Sequence, residues 1–237
     1  MKYSAVIFDL FGTLVYNSSP QESEAILRQM ASVLSLPADD IVRLWMETHV
    51  ERTKGVFKNY QGCIEHICQV LQVPFEYGQI ERAAGIRLDM LKRELSMMRE
   101  GAVEVLSHIK GKGIKTGLIT NCPPETELLW RDTPLAPLID VTVFSSAEGL
   151  MKPDVRIYQI ATDRLAVSPG ECIYIADGIG QELKSASHMR MHPVLIRTYS
   201  SDSYDPYREE WNGTVISSLK EVLALLKSPI SFNQSIN

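Results

Sequence analysis

The spacing of apolar residues along the chain changes period several times. Val6-Ile7-Phe8 is a short apolar run ending on Asp9, the composition of a strand buried on both faces, and Phe11-Gly12-Thr13-Leu14 then turns the chain. From Ser19 the period is helical. Ser19-Pro20-Gln21-Glu22 has the form of a capping box with Pro at the first helical position, and Ile26, Met30 and Val33-Leu34 continue an apolar face. The pattern predicts further helices over 37–51, with Leu44, Trp45 and Val50 facing a core, over 60–71 and over 79–98. A helix-like stretch at 101–110 leads through Gly111-Lys112-Gly113 into an apolar strand ending on Thr120 and Asn121, where Pro123 and Pro124 stop regular structure. Ile157, Tyr158 and Ile160 mark a helix with Pro153 placed for its first position. Cys172-Ile173-Tyr174-Ile175-Ala176 is a strand ending on Asp177, followed by a Gly-rich turn and a helix at 183–191. Another strand is expected at 192–197, a short edge strand at Val215-Ile216 and a terminal helix at 219–226. The polar and aromatic stretch 199–213, with Asp202, Tyr204, Tyr207 and Trp211, exceeds the usual connection of about 4–6 residues and reads as a surface flap, while 228–237 reads as a flexible tail.

Composition narrows the class. The chain has 237 residues, enough for one large domain or a core with an insertion. Its net charge of -5 argues against a polyanion-binding surface, so nucleic acid is not an expected partner. No apolar stretch reaches the roughly 18–20 residues of a membrane span. The chain enters a strand without a signal-peptide pattern, and Cys63, Cys68, Cys122 and Cys172 lack metal-type spacing. They read as reduced thiols of a cytoplasmic protein, with Cys122 a bystander beside Asn121.

Four strand ends or turns carry candidate chemistry. Asp9 falls where open α/β folds place ligands, and Gly12 and Thr13 add a tight turn, a hydroxyl and a backbone donor beside it. Alone, this is also the pattern of a turn with a solvated acid. Thr120 and Asn121 offer a hydroxyl and amides to an anionic oxygen, although such a pair is common in turns. Lys152 stands at a helix mouth, where the dipole disfavours a cation unless it neutralises a bound anion; a solvated surface lysine is the alternative. Asp177 and Glu182 lie on one turn and, with Asp9, form a set of carboxylates suited to a hard cation.

In this order, these four segments resemble the haloacid dehalogenase superfamily, over the opening turn and about 101–226. The resemblance implies a Rossmann-like parallel sheet, an α/β core at 1–16 and 99–227, with a helical cap inserted at 17–98 and hinges near Tyr16-Asn17 and 96–100. It implies Asp9 as nucleophile, Thr120 as phosphate-binding hydroxyl and Lys152 as the cation steadying nucleophile and phosphate. Gly12, Thr13 and Asn121 complete the expected substrate contacts. Magnesium is the implied cofactor, held by Asp9, the main-chain carbonyl of Phe11 and Asp177, with Glu182 in the place of the second acid of that motif. A small phosphorylated metabolite is the implied substrate, for a monomer or homodimer. Such a cap would exclude water and choose the substrate. Tyr16 and Asn17 are expected near the site, and Trp45 and Trp130 in the core. Met90, Met97 and Met98 read as packing; Arg52, Lys54 and Lys58 flank Gly55 and could reach an anionic group, but read better as a solvated loop.

One position departs from the resemblance. Family phosphatases usually carry a second Asp two residues after the nucleophile, as general acid and base; here it is Phe11. General acid–base help is typically worth about 10²–10⁴-fold, so esters with poor leaving groups should be slow and acyl phosphates less affected. Phe11 is also compatible with the dehalogenase branch, in which Asp9 would displace halide from carbon without a metal. The retained Asp177 and Glu182 favour phosphoryl transfer. A noncatalytic phosphate-binding or interaction relative is the remaining alternative.

Overall fold

The computed structural model describes residues 3–197 and 209–227. Most of the flap expected at 199–213 and the tail expected at 228–237 lie outside the described residues. Six strands form one parallel sheet: β1 (Ala5–Phe8), β2 (Lys115–Thr120), β3 (Val141–Phe144), β4 (Cys172–Ala176), β5 (His192–Ile196) and β6 (Thr214–Ile216), in the order β3-β2-β1-β4-β5-β6. The central strands are apolar throughout because both faces are covered. Their side chains alternate. Val6, Phe8, Ile173 and Ile175 enter one core, while Ala5, Ile7, Cys172 and Tyr174 enter the other. The strand β3 had no prediction from the sequence; only Val143 and Phe144 of its four residues are buried, so its apolar signal is brief.

The stretch 17–98 holds five helices: α1 (Pro20–Leu34), α2 (Ala38–Glu47), α3 (His49–Thr53), α4 (Tyr60–Val70) and α5 (Tyr77–Ser96). The capping box is present at α1, where the Ser19 and Glu22 side chains each accept from the other's backbone amide. A single helix over 37–51 is not what forms. The chain breaks at Thr48, whose hydroxyl donates back to the Leu44 carbonyl, and Val50 on the far side is exposed instead of buried. Trp45 and Trp130 are buried as expected. Two connections join this lobe to the sheet and run side by side: the Tyr16 amide donates to the Met97 carbonyl and the Arg99 amide to that of Leu14, both at 2.9 Å.

The remaining helices are α6 (Ala102–Gly111), α7 (Pro124–Trp130), α8 (Ser145–Glu148), α9 (Val155–Leu165), α10 (Glu182–His188) and α11 (Val222–Leu225). Pro153 does not open α9. Asp154 caps that helix, accepting from the Arg156 amide at 3.0 Å, and Pro153 lies in the turn before it. The expected terminal helix divides into a 3-10 turn at Leu219–Glu221 and α11. Among the described residues no helix is long and apolar enough to cross a membrane.

Candidate active site

Successive strands are laid outward from β1 on both sides, β2 then β3 on one and β4 to β6 on the other. The chain therefore changes direction between β1 and β4, where open sheets form a ligand crevice beyond the carboxyl ends of their strands. Asp9 and Asp177 follow the two strands that flank this point, and Thr120 ends β2 beside them. Lys152 reaches in from the turn before α9, and Glu182 from the start of α10.

These groups are brought together and buried. The Lys152 Nζ lies 2.6 Å from Asp9 Oδ1 and 2.6 Å from Glu182 Oε2, and donates to the Tyr174 hydroxyl at 3.3 Å. Tyr174 donates in turn to Glu182 Oε2 at 2.9 Å, while the Gly178 amide donates to Oε1 at 3.1 Å. Glu182 is thus bonded at both oxygens. The Ile179 amide donates to Asp177 Oδ1 at 3.2 Å. Among the described residues, Asp9 Oδ2 and the Thr120 hydroxyl are buried without a hydrogen-bond partner. Carboxylate oxygens of Asp9, Asp177 and Glu182 all lie within 4.8 Å of one another.

Lys152 pairs with two of the three buried carboxylates, and Asp177 has no salt-bridge partner among the described residues, which leaves the cluster short of positive charge. Burial pushes the Asp9 carboxyl up to about 6, with Lys152 opposing and Glu182 reinforcing the rise. Burial raises Asp177 well above the usual range, and the charges of Glu182 and Asp9 add to it. For Lys152 burial alone would favour the neutral amine, but Asp9 and Glu182 overcome it and keep the group protonated. A hard cation fits this donor set, because burial disfavours the ionised forms of both Asp9 and Asp177 and a positive charge beside them would restore those carboxylates.

Local backbone geometry fixes these positions. Gly12 has φ +78°, and a Cβ there would sit 2.1 Å from Asp177 Oδ2, so only glycine lets the turn after β1 approach β4 this closely. Thr13 is fully buried in the same turn. Asn121, expected to contact substrate, clamps the lysine: its Nδ2 donates to the Lys152 carbonyl at 3.0 Å, and its Oδ1 accepts from the Lys152 amide at 2.8 Å. Cys122 is buried and its thiol is pushed up to about 12, so it stays protonated at neutral pH.

A cavity of about 200 Å³ separates the sheet edge from the helical lobe. Phe11, Asn17 and Asn121 line it on one side, and Arg52, Tyr60 and Arg87 on the other. Tyr16 packs beneath the Arg99 guanidinium, 5.0 Å from its ring centroid. Arg52 corrects the expectation of a solvated loop. It is only 8% exposed because its guanidinium stacks on Trp45, while Lys54 and Lys58 are exposed.

Sequence reasoning missed several residues that build this region. Tyr174 was legible only as an aromatic in an otherwise aliphatic strand. Arg99 donates Nε to the Thr13 carbonyl at 2.7 Å and Nη2 to that of Gly12, tying the second connection to the Asp9 turn. Ser145 donates to the Thr53 carbonyl at 2.7 Å and accepts from the Cys122 amide at 2.8 Å, joining the lobe to the end of β2. No local signal marks either contact, since each partner is distant in sequence.

A family model described as haloacid dehalogenase-like hydrolase matches residues 3–189. A 97-residue stretch is 34% identical to part of mouse acyl-CoA dehydrogenase family member 10, and spans 9% of that protein. Over 229 residues the chain is 23% identical to glyceraldehyde 3-phosphate phosphatase of Methanocaldococcus jannaschii, covering 94% of this chain and 96% of the relative. Over 235 residues it is 27% identical to (S)-2-haloacid dehalogenase 4A of Burkholderia cepacia, covering 96% of each. The fold is similar to that of a HAD phosphatase from Thermococcus onnurineus, with a TM-score of 0.64 at 20% identity over 94% of this chain and 97% of that one.

Proposed function

The chain belongs to the haloacid dehalogenase-like hydrolases, and from that premise we propose that it is a magnesium-dependent phosphohydrolase acting on a small phosphorylated metabolite through an aspartyl-phosphate. The observation that carries this reading is the charge of the buried cluster: Asp9, Asp177 and Glu182 against Lys152, the one cation salt-bridged to them among the described residues, with Arg99 acting on Asp177 only from a distance. A site built only to displace halide from carbon has no need of that surplus of negative charge.

The residues divide the work. Asp9 Oδ2 attacks phosphorus in line, the ester oxygen leaves, and water later cleaves the acyl phosphate to restore the carboxylate. Lys152, fixed through its backbone by Asn121, offsets charge on Asp9 and on the transferred oxygens. The Thr120 hydroxyl, free of protein partners, donates to one of those oxygens. Glu182, held by Tyr174 and the Gly178 amide, orients Lys152. Magnesium, held by Asp9, Asp177 and the Phe11 carbonyl, would neutralise charge on the transferring phosphoryl group. Helices α1–α5 act as a cap that keeps water from the crevice. Phe11 supplies no proton to the leaving group, so activated phosphates are the favoured substrates.

Phosphate release from acetyl phosphate, with and without magnesium and with Asp9→Asn as the blank, tests the reading. Magnesium-dependent release that disappears in the variant is expected; release unchanged in Asp9→Asn sinks the Asp9 mechanism. Phe11 and the similarity to a 2-haloacid dehalogenase favour carbon–halogen hydrolysis as the second reading. Chloride release from 2-chloropropionate in the presence of a chelator would establish that one instead.

A further inference from the structure

The helical wall of the cavity holds positive charge that the fold itself does not pair. Arg52 and Arg87 both line it, and among the described residues neither has a carboxylate partner within 4.0 Å. Arg52 is anchored by neutral groups: it stacks 4.1 Å from the Trp45 ring centroid, and its Nη1 donates to the Thr48 hydroxyl at 2.6 Å. Arg87 is freer. Its guanidinium lies 5.7 Å from the Tyr60 ring centroid, and its Nη1 is buried without a hydrogen-bond partner. The Tyr60 hydroxyl is likewise buried and unbonded, on a residue only 2% exposed.

Nearby acids make no hydrogen bond to these donors among the described residues, although the charges of Arg87 and Arg52 reach Glu125 and lower its carboxyl pKa against burial. Glu94 lines the same cavity, but its Oε1 accepts from the Ser18 amide at 3.3 Å. Glu125 accepts from the Tyr60 amide through Oε1, and its Oε2 makes no hydrogen bond. The third basic residue, His49, is kept neutral because burial pushes its pKa down. Buried donors left unmade are costly, and a planar guanidinium beside a phenol is matched by the two oxygens of an oxyanion. The opposite wall, Phe11 and Asn121, continues directly from the ends of β1 and β2. A ligand with its reacting group at Asp9 therefore points its other end toward Arg87.

We infer that the substrate carries a second oxyanion, a carboxylate or a second phosphate, bound by Arg87 Nη1 and the Tyr60 hydroxyl, with Arg52 adding charge from behind. The cavity of about 200 Å³ is smaller than the roughly 300–1,000 Å³ of pockets for drug-sized ligands, which suits a small second group on the substrate. Arg87 and Tyr60 are then specificity-determining residues. The inference rests on Asp9 as the reacting group, as proposed above.

Equilibrium binding to the magnesium-loaded full chain tests it without requiring turnover. Calorimetry compares propylphosphonate with 3-phosphonopropionate, which adds a carboxylate, and with 1,3-propanediphosphonate, which adds a second phosphonate. At least one of the two dianionic-ended ligands is expected to bind about 10- to 100-fold more tightly than propylphosphonate, the range for a charge-assisted hydrogen bond; which one does so identifies the oxyanion. That ratio should fall to within about twofold in Arg87→Met and lie between the two values in Arg87→Lys, where charge remains without the fork. Tyr60→Phe keeps the ring and should lower the ratio severalfold, so the inference stays testable if Arg87→Met does not fold. Equal affinities in the unmodified protein, a ratio unchanged in Arg87→Met or Tyr60→Phe, or no binding by any of the three ligands overturns the inference. A preserved preference without phosphate release would refute hydrolysis while leaving this subsite standing; phosphate release with equal affinities would do the reverse.

Discussion

Asp9→Asn should make the metal-free protein more stable while abolishing its activity. The carboxyl rises from 3.8 to about 6 on folding, chiefly through burial, which at about 1.4 kcal/mol per pH unit disfavours the ionised form by about 3 kcal/mol. Because the folded value lies above the unfolded one, the native state holds an extra proton between about pH 4 and pH 6. The stability this group confers is complete below the unfolded value and is lost as pH rises through the folded one. Asparagine keeps the shape and the acceptor facing Lys152 but does not titrate. Its gain at pH 8 is therefore the lost 3 kcal/mol, reduced by roughly 1 kcal/mol because a neutral acceptor replaces a charged one. At pH 4.5 most of the wild-type protein already carries the proton, and linkage leaves only about 1 kcal/mol before the same reduction, close to no gain. Urea unfolding in chelator at the two pH values measures this directly, alongside phosphate release with magnesium. In a thermal scan each kcal/mol is worth roughly 2–4 °C for a chain of this size. A variant less stable than wild type at pH 8, or equally stabilised at both pH values, would refute the argument that the carboxylate is held in an environment short of positive charge.

Gly12→Ala should reduce turnover by about 10²-fold, because its Cβ would meet Asp177 Oδ2 at 2.1 Å and displace one of the three clustered acids. Activity within threefold of wild type, with unchanged circular dichroism, would show that the turn relaxes at no cost. Phe11→Asp restores an acid two residues after Asp9, and hydrolysis of alkyl phosphates should rise by about 10²-fold or more; no rise would mean that another group already protonates the leaving oxygen. Arg99→Met removes the donors to the Gly12 and Thr13 carbonyls and should cost about 2–3 kcal/mol in urea unfolding. It should also weaken activation by magnesium, since the same turn carries Asp9 and Phe11, and an unchanged magnesium titration would confine Arg99 to stability.

Local patterning was enough to read five of the six strands: β1, β2, β4 and β5 each carry a run of at least three buried residues, and Val215-Ile216 marked β6 although only Ile216 is buried there. The capping box at Ser19 was equally legible, since both partners lie within one turn of helix. The order of the four motifs named the family, and it singled out Asp9, Thr120, Lys152, Asp177 and Glu182, which the fold gathers at one end of the sheet. What the sequence could not supply was any property set by neighbours distant along the chain. β3 is only half buried and leaves too short an apolar signal, and Thr48 breaks a helix whose periodicity runs on past it. Asn121 has the composition of a substrate contact, and its amide also clamps Lys152, thirty-one residues away. Arg52 looks like a solvated charge until α2 places Trp45 beneath it. The raised Asp9 carboxyl likewise follows from burial, because desolvation is decided by everything packed around a group and not by the residues beside it in the chain.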